Sequence, residues 1–186
     1  MDRRTALKQS ALLAGSLAML PSCNFGPQRE KVALDNLQID LEHQDLLAKV
    51  IDTILPSSKE SPGAEALNLY RFVLVMVDDC EPKEVQQIFV NGLNKIRDFS
   101  DKYLTQSFPA KDKGVNLKAL GELTKMEMTE EMKPAIQEIR TFISLAKRYA
   151  IRGYMYSEYF MTEKFPYKLV PGPYQACVSS DGLIVM

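Results

Sequence analysis

The chain has 186 residues, of which 46% are hydrophobic and 25% charged, and its formal net charge is −1. This length predicts one compact domain, and the apolar content excludes a disordered chain. The balanced charge provides no field that would attract nucleic acid, so a nucleic-acid partner is excluded. One histidine and three cysteines leave little material for a metal or haem site.

Residues 1–22 have the pattern of an export signal. Arg3 and Arg4 stand in a short charged start, and an uncharged run rich in alanine and leucine follows from Ser10 to Ser22. The apolar part of that run falls short of the ~20 residues that a membrane-spanning helix needs, which favours a signal peptide. The adjacent arginines resemble the twin-arginine export signal. The alternative is a Sec-type signal that happens to hold two arginines.

The apolar run ends in Leu20, Pro21, Ser22 and Cys23, which resemble a bacterial lipobox. The Cys23 thiol would accept a diacylglycerol thioether, and the small side chain of Ser22 would let a signal peptidase cleave beside it. Several acyl chains on one cysteine hold a protein at a membrane, since each buried CH₂ adds ~0.8 kcal/mol. We therefore expect an exported protein, lipid-anchored at the periplasmic face of a bacterial membrane. A cysteine without a role after an ordinary signal is the alternative.

The chain after the signal is predicted to begin with a tether, residues 23–39, which contains glycine, proline and charged residues. A helical domain, residues 40–165, is predicted to follow. Asp40 is a suitable N-cap for its first helix, and Pro56 is a stop signal. One face of this helix carries apolar residues at helical spacing, namely Leu47, Val50, Ile51 and Ile54.

The middle of the domain is predicted to hold two further helices. The second helix runs from Ala64 to about Asp79, and its apolar middle makes a buried strand the alternative. The third has Pro82 in its first turn, where the missing N–H is not needed, and ends near Leu104. Its predicted inward face consists of Val85, Ile88, Phe89, Gly92, Ile96 and Phe99.

A loop over residues 108–114 is predicted to separate these helices from two later ones. The first is a short helix from Asn116 to Met126, and the second is a longer helix that is capped by Thr129 and continues to about Glu163. The inward residues are predicted to be Leu117, Leu120 and Leu123 in the short helix, and Ile136, Ile139, Phe142, Ile143, Ala146 and Ala150 in the longer one.

The last part of the chain, residues 166–186, is predicted to form an extended strap. Three prolines and a glycine follow Phe165 within eight residues, and proline favours extended structure at and before its own position. The fold class predicted from the sequence is therefore all-α: a single irregular domain of about four to six helices with an extended, proline-rich C-terminal strap.

Motifs for catalysis are almost absent from the sequence. It holds no glycine-rich nucleotide or flavin fingerprint and no CxxCH haem attachment, so we expect this chain to bind no cofactor or metal and to have no catalytic residues. His43 is the only histidine and fits a capping or surface position. Asp78 and Asp79 are predicted to lie at a helix C-terminus, where the helix dipole disfavours negative charge. This mismatch indicates an interaction or a buried hydrogen-bonding role, or else a solvated helix end. A helical enzyme that uses these carboxylates is a further alternative.

Two further features of the sequence are a pair of cysteines, which suits a stabilising disulfide, and a group of tyrosines, which suits an interface or the core. Cys80 and Cys177 form an even pair in an exported protein, which suggests a disulfide; two buried free thiols are the alternative. Tyrosine buries area while it keeps a polar tip, which suits interfaces as well as cores. Six tyrosines crowd into the chain after residue 148, namely Tyr149, Tyr154, Tyr156, Tyr159, Tyr167 and Tyr174.

Several landmarks together resemble a known family. They are LLAKVIDTILP over residues 46–56, the Pro62-Gly63-Ala64 turn, Asp78-Asp79-Cys80, Gly153-Tyr154 with Ser157-Glu158, and YKLVPGPY over residues 167–174 with Cys177. In these landmarks the chain resembles the gluconate 2-dehydrogenase subunit 3 family, the small subunit of membrane-associated flavin dehydrogenases. The resemblance extends over nearly the whole chain, except residues 99–132.

The resemblance implies a non-catalytic subunit. Its large partner would be a flavin oxidoreductase of the glucose-methanol-choline type, which carries FAD and oxidises a sugar or sugar acid; a cytochrome c subunit with haem c often takes the electrons. The small subunit would engage the export machinery through Arg3 and Arg4, carry the folded flavin subunit through the twin-arginine pathway and anchor it at Cys23. A stand-alone envelope lipoprotein that binds a ligand or another protein is the alternative. Candidate partner contacts are Tyr154, Tyr167, Val170, Pro171, Gly172 and Tyr174.

Overall fold

The computed structural model of the chain describes residues 31–127, 129–165, 170, 172, 173 and 177. These residues form five α-helices and one short π-helical turn, and no strand lies among them. In chain order the elements are α1 (Leu41–Ile54), α2 (Leu69–Cys80), α3 (Lys83–Tyr103), α4 (Lys113–Lys125), α5 (Lys133–Met155) and the π-turn (Phe160–Lys164). The predicted class, a single all-α domain, is confirmed. None of the described helices combines the length and the apolarity that crossing a membrane requires.

Helix α5 is the centre of the fold, because it contacts each of the other four α-helices. It approaches α3 closely at Gly92, where an added Cβ would lie 2.5 Å from the carbonyl oxygen of Glu138 and 2.5 Å from Cβ of Phe142. In the same interface the rings of Phe89 and Phe142 meet edge to face, with their centroids 5.0 Å apart. The predicted inward residues of α5 are all buried, namely Ile136, Ile139, Phe142, Ile143, Ala146 and Ala150.

Helix α1 begins where the sequence predicts. Asp40 is its N-cap: the carboxylate accepts the backbone N–H of His43 at 2.8 Å, and its Oδ1 lies 2.6 Å from the ring Nδ1 of the same histidine. These hydrogen bonds, the backbone one above all, hold the pKa of Asp40 below its ordinary value of 3.8. His43 therefore occupies a capping position, as predicted. The helix ends at Ile54, just before Pro56.

Helix α2 is shorter than predicted. It begins at Leu69 instead of Ala64, because Asn68 adopts a left-handed conformation with φ of 50° that interrupts the helical path after the turn over residues 64–68. The alternative of a buried strand is wrong. One face of α2 is buried, whereas Val75 on the opposite side is 41% exposed.

Helix α3 agrees with its predicted bounds, with Pro82 as the N-cap and Leu104 as the C-cap. Most of its predicted inward face is buried, while Val85 and Ile88 are half-buried. The periodicity of the sequence is therefore a faithful guide over this helix. The fully buried members of the predicted face are Phe89, Gly92, Ile96 and Phe99.

Helix α4 begins earlier than predicted, and its inward face also differs from the predicted one. Its first residue is Lys113, because the Asp112 side chain caps the helix by accepting the backbone N–H groups of the second and third helical residues. Leu117, predicted to face inward, is 60% exposed. It lies about 100° around the helix from Asn116, whose amide side chain is buried and hydrogen-bonded to the backbone of Ala110. The inward face consists of Asn116, Ala119, Leu120 and Leu123.

Helix α5 is shorter than predicted at both ends. It begins at Lys133, after a turn in which the carbonyl of Thr129, and not its side chain, accepts the backbone hydrogen bonds. Thr129 is therefore not the cap. The helix ends at Met155 rather than near Glu163, because Tyr156 leaves the helical path with φ −96° and ψ 2°. The chain then turns again as the separate π-turn.

Segment 31–39, within the predicted tether, is held against the helices by Asp78. The carboxylate of Asp78 accepts the backbone N–H groups of Asp35 at 2.8 Å, Asn36 at 2.9 Å and Leu37 at 2.6 Å. Asp78 is 4% exposed, whereas the next residue of the acidic pair is exposed. Asp78, the first residue of the pair, therefore has the buried hydrogen-bonding role that was one of the predicted alternatives.

Two glutamines complete this attachment. Gln44 is fully buried, and its amide pairs with the backbone of Val32: Oε1 accepts the N–H at 2.9 Å and Nε2 donates to the carbonyl at 3.2 Å. Gln86 donates through Nε2 to the carbonyl of Asp78 at 2.8 Å, which satisfies a free carbonyl at the end of α2. We call the segment 32–37, the residues Gln44 and Asp78 that bind it, and Gln86, which binds Asp78, the N-terminal clamp.

Candidate functional site

Exposed apolar side chains are concentrated on α2, on α5 and in the chain after α5. Seven large hydrophobic side chains are exposed among the described residues, and five of them belong to this group. Tyr156 is the most exposed of those on the helical body, at 67%. Ile151, Met155 and Tyr156 are neighbours at the end of α5, and adjacent exposed apolar side chains are typical of interaction sites, so this end of α5 is the candidate site. The five are Val75, Ile151, Met155, Tyr156 and Val170.

A groove of about 640 Å³ opens between the start of α2 and the end of α5. Its lining includes Leu69 and Phe72 from α2, Gly153 and Tyr156 from the end of α5, and Tyr159 from the chain just beyond. Gly153 allows the two helices to approach each other, since an added Cβ would lie 2.7 Å from Cδ1 of Phe72. The floor of the groove therefore depends on the absence of a side chain at this position.

Aromatic side chains hold the wall of the groove in place. The ring of Tyr154 packs against those of Tyr159 and Phe160, with centroids 6.3 and 5.7 Å apart. Ser157 joins the end of α5 to the next turn: its Oγ donates to the carbonyl of Tyr154 at 2.7 Å and accepts the N–H of Phe160 at 3.2 Å. The hydroxyl of Tyr159 donates to the carbonyl of Glu60, in the loop before α2, at 2.8 Å. The groove is thus a preformed feature of the fold.

The outward side of α5 beside this groove combines basic and apolar side chains. Lys147, Ile151 and Met155 follow one another at intervals of four residues, and Arg148 and Arg152 form the adjacent row. All five side chains are exposed. This arrangement gives a surface that offers both charge and apolar area to a partner. We call the residues Lys147, Ile151, Arg152, Met155 and Tyr156 the α5 face.

The charges of this part of the chain are all basic. The segment 139–157 contains four basic residues and no acidic one. Arg148 forms an ion pair with Glu81, the C-cap of α2, so the charge of Arg148 is already paired within the fold. Lys147 and Arg152 have no ion pair within the part of the chain that the structure describes. Both side chains are exposed at the surface.

The described residues include only part of the site predicted from the sequence. Val170 and Gly172 are exposed, and Tyr154 is half-buried behind the groove. Cys80 and Cys177 are exposed free thiols, and their disulfide stays a prediction. Arg3, Arg4, Cys23, Tyr167, Pro171 and Tyr174 lie outside the described residues.

The sequence analysis did not identify Lys147, Ile151 and Arg152 of the α5 face as part of a surface. It assigned this helix from its buried side, where the apolar periodicity is strong. A signal was nevertheless present: Ile151 and Met155 continue a row that starts with Lys147, although the outer side of a surface helix is ordinarily polar. Phe72 had no comparable signal, because its place in the groove depends on the pairing of α2 with α5.

Comparison with known proteins identifies the family. The family model described as gluconate 2-dehydrogenase subunit 3 matches residues 42–172 of the chain. This range extends from the first turn of α1 past the π-turn, and so includes the groove and the α5 face. No curated protein and no solved structure gives a significant match. Because the family model matches well over half of the chain, the protein belongs to the gluconate 2-dehydrogenase subunit 3 family.

Proposed function

We propose that this chain is the non-catalytic small subunit of a periplasmic flavin-dependent dehydrogenase complex, which oxidises a sugar or sugar acid of the gluconate type. Membership of the subunit 3 family, over residues 42–172, is the observation that carries the proposal. In this role the chain binds the catalytic subunit, exports it and holds it at the membrane. FAD belongs to that partner, an oxidoreductase of the glucose-methanol-choline type, and a cytochrome c subunit with haem c receives the electrons.

The N-terminal segment supplies the export and anchoring parts of the proposed role. Arg3 and Arg4 engage the twin-arginine machinery, and Cys23 carries the lipid. The folded domain supplies the binding part. Its preformed groove and the exposed apolar side chains around it support the proposal, because an accessory subunit needs a surface for its partner.

Co-purification from native membranes tests the complex directly. The full chain, tagged and expressed in its own cells, is recovered in mild detergent and the eluate is analysed for a stoichiometric polypeptide that contains FAD. We expect such a polypeptide, together with sugar-oxidising activity that the small chain alone lacks. A chain that is recovered folded and monomeric, without a flavin protein, would instead support a stand-alone envelope lipoprotein. Turnover by the isolated chain would support the helical-enzyme alternative.

Export provides a second, separate test. Replacing Arg3→Lys and Arg4→Lys together keeps the charge of the segment but removes the adjacent arginines. We expect both this chain and its flavin partner to remain in the cytoplasm, as measured by cell fractionation. If the flavin partner still reaches the periplasm while this chain is retained, the carrier role is wrong. A Cys23→Ala variant should be exported normally but should be released from the membrane as a soluble complex.

A further inference from the structure

We propose that the α5 face binds a protein partner whose surface presents carboxylates around one projecting aromatic or aliphatic side chain. The carboxylates meet Lys147 and Arg152, and the apolar side chain enters the groove beside Tyr156. The proposal rests on the proposed function for the identity of this partner, the flavin-containing subunit.

Charge complementarity selects an acidic partner surface. Segment 139–157 has four basic residues and no acidic one, although the whole chain has a net charge of −1. The basic character is therefore a local feature of α5. Arg152 and Lys147 have no ion pair within the described residues, and a guanidinium such as that of Arg152 can bind a carboxylate through two parallel hydrogen bonds. Complementary charges of this kind guide partners together and fix their register.

The shape of the site favours a protein over a lipid surface. Amphipathic helices that bind membranes insert apolar side chains from an open helix face. Here part of the apolar surface is recessed between α2 and α5, where Phe72 and Gly153 form the floor. A recess of this kind accepts a side chain that projects from a folded partner. Two tyrosines, Tyr156 and Tyr159, line the recess, and tyrosine is enriched at protein interfaces.

Acidic residues at the other side of the groove set the direction of docking. Glu158 and Glu163 line the groove towards the π-turn, so a partner carboxylate on that side would face like charge. The carboxylates of the partner must therefore lie over Lys147 and Arg152, towards the middle of α5. Because Tyr154 and Ser157 already hold the wall of the groove, little ordering is needed on binding.

The test compares matched variants of the full chain in native membranes. The α5 face is altered by Arg152→Glu and by Tyr156→Ala. The controls are Lys118→Glu and Leu117→Ala on α4, where a basic and a large apolar side chain are also exposed. We expect each α5 variant to lower the FAD-containing polypeptide recovered per small chain at least about tenfold, and the controls to match the wild type. Thermal unfolding of each purified variant confirms that its fold is intact.

Photo-crosslinking adds a readout of direct contact. A benzoylphenylalanine placed at position 156 should give a covalent adduct with the flavin polypeptide, while the same residue at position 117 should give none. If the wild type recovers the flavin polypeptide and the α5 variants recover it equally well, the docking surface is wrong and the proposed function stands. If the wild type recovers no flavin polypeptide, both are overturned. Binding of the chain to anionic phosphatidylglycerol vesicles that Arg152→Glu abolishes, with the complex unaffected, would assign the face to a membrane and also overturn the proposal.

Discussion

At the scale of single residues, Asp78 has the most sharply defined role. Three backbone N–H groups, from Asp35 to Leu37, converge on its buried carboxylate at 2.6–2.9 Å. In Asp78→Asn an NH₂ group replaces one acceptor oxygen and faces a backbone donor. A buried donor without a partner costs ~1–3 kcal/mol, and more where the lost acceptor is charged. We expect the free energy of unfolding, measured by urea denaturation, to fall by about 3 kcal/mol.

The matched control for this prediction is Asp79→Asn, because Asp79 is the exposed neighbour of the same chemical type. Its effect on the free energy of unfolding should stay within about 0.5 kcal/mol. Amide hydrogen exchange gives a local readout: the amides of residues 35–37 should lose more protection in Asp78→Asn than those in the centre of α5. Equal urea midpoints for the two variants would show that the buried carboxylate does not stabilise the clamp.

At the scale of helices, two glycines allow the effect of close packing on stability to be distinguished from the effect of helix propensity. A Cβ at Gly92 in α3 would lie 2.5 Å from the backbone oxygen of Glu138 in α5, which cannot move aside as a flexible side chain can. A Cβ at Gly121, inside α4, meets no atom within 4 Å. Gly92→Ala should therefore lower the free energy of unfolding by about 2 kcal/mol or more. Gly121→Ala should raise it by about 0.5–1 kcal/mol. A stabilising Gly92→Ala would mean that α3 and α5 are not in this close contact.

The contact between α3 and α5 also predicts that the free energy of unfolding depends on pH. Lys95 donates to one carboxylate oxygen of Glu138, and Asn91 donates to the other at 3.1 Å. The hydrogen bond from Lys95 is the main cause that lowers the pKa of Glu138 below its ordinary value of 4.5. Because the pKa of Glu138 is lower in the folded state than in the unfolded chain, its ion pair with Lys95 stabilises the fold above pH 4.5. This stabilisation is lost as the pH falls through the pKa of the folded state.

Glu138→Gln tests this dependence. At pH 7 we expect the variant to be less stable than the wild type by about 0.5–1 kcal/mol, since the ion pair is partly exposed. The difference should disappear as urea denaturation is repeated at progressively lower pH below 4.5. Lys95→Gln is the control and should follow the same pH profile. A difference that stays constant down to the lowest pH would assign the effect to packing instead of charge.

The sequence predicted the helices well and their ends less well. The buried face of α5 was correct throughout, because apolar residues at helical spacing report directly on burial. The errors arose at helix ends, whose positions are set by local backbone geometry. Asn68 delays α2 by a left-handed conformation, and the side chain of Asp112 starts α4 early, at Lys113. Nothing in the pattern of apolar residues contains this information.

The candidate site was predictable only in part. The sequence pointed to the tyrosines after residue 148 as candidates for an interface or for the core, and Tyr156 and Tyr159 of this group line the groove. The contribution of α2 through Phe72 could not be predicted, because it requires knowing which helices pair. The role of Asp78 in the clamp was likewise open, since its partners are backbone groups about 40 residues away.

At the scale of the whole molecule, the compact unit extends further towards the N-terminus than the first described helix does. A compact unit begins at Lys31, although the sequence placed the start of the helical domain at Asp40. Leu37 and Ile39 are 6% and 5% exposed and belong to the core. Segment 31–39, which the sequence analysis assigned to the tether, therefore belongs to this compact unit.

Two fragments test where the domain begins. Fragment 31–165 keeps the clamp, whereas fragment 40–165 removes Leu37 and Ile39 from the core and leaves the carboxylate of Asp78 without its backbone donors. Burying each such apolar side chain contributes ~1.5–3 kcal/mol, so the shorter fragment should be less stable by at least about 3 kcal/mol in urea denaturation. If the shorter fragment does not fold, Leu37→Ala in fragment 31–165 replaces it, with an expected loss of about 2–5 kcal/mol. Equal stability of the two fragments would show that residues 31–39 belong to the tether and not to the folded domain. A large difference would make the clamp part of the minimal fold and would move the start of the folded domain from the predicted residue 40 to Lys31.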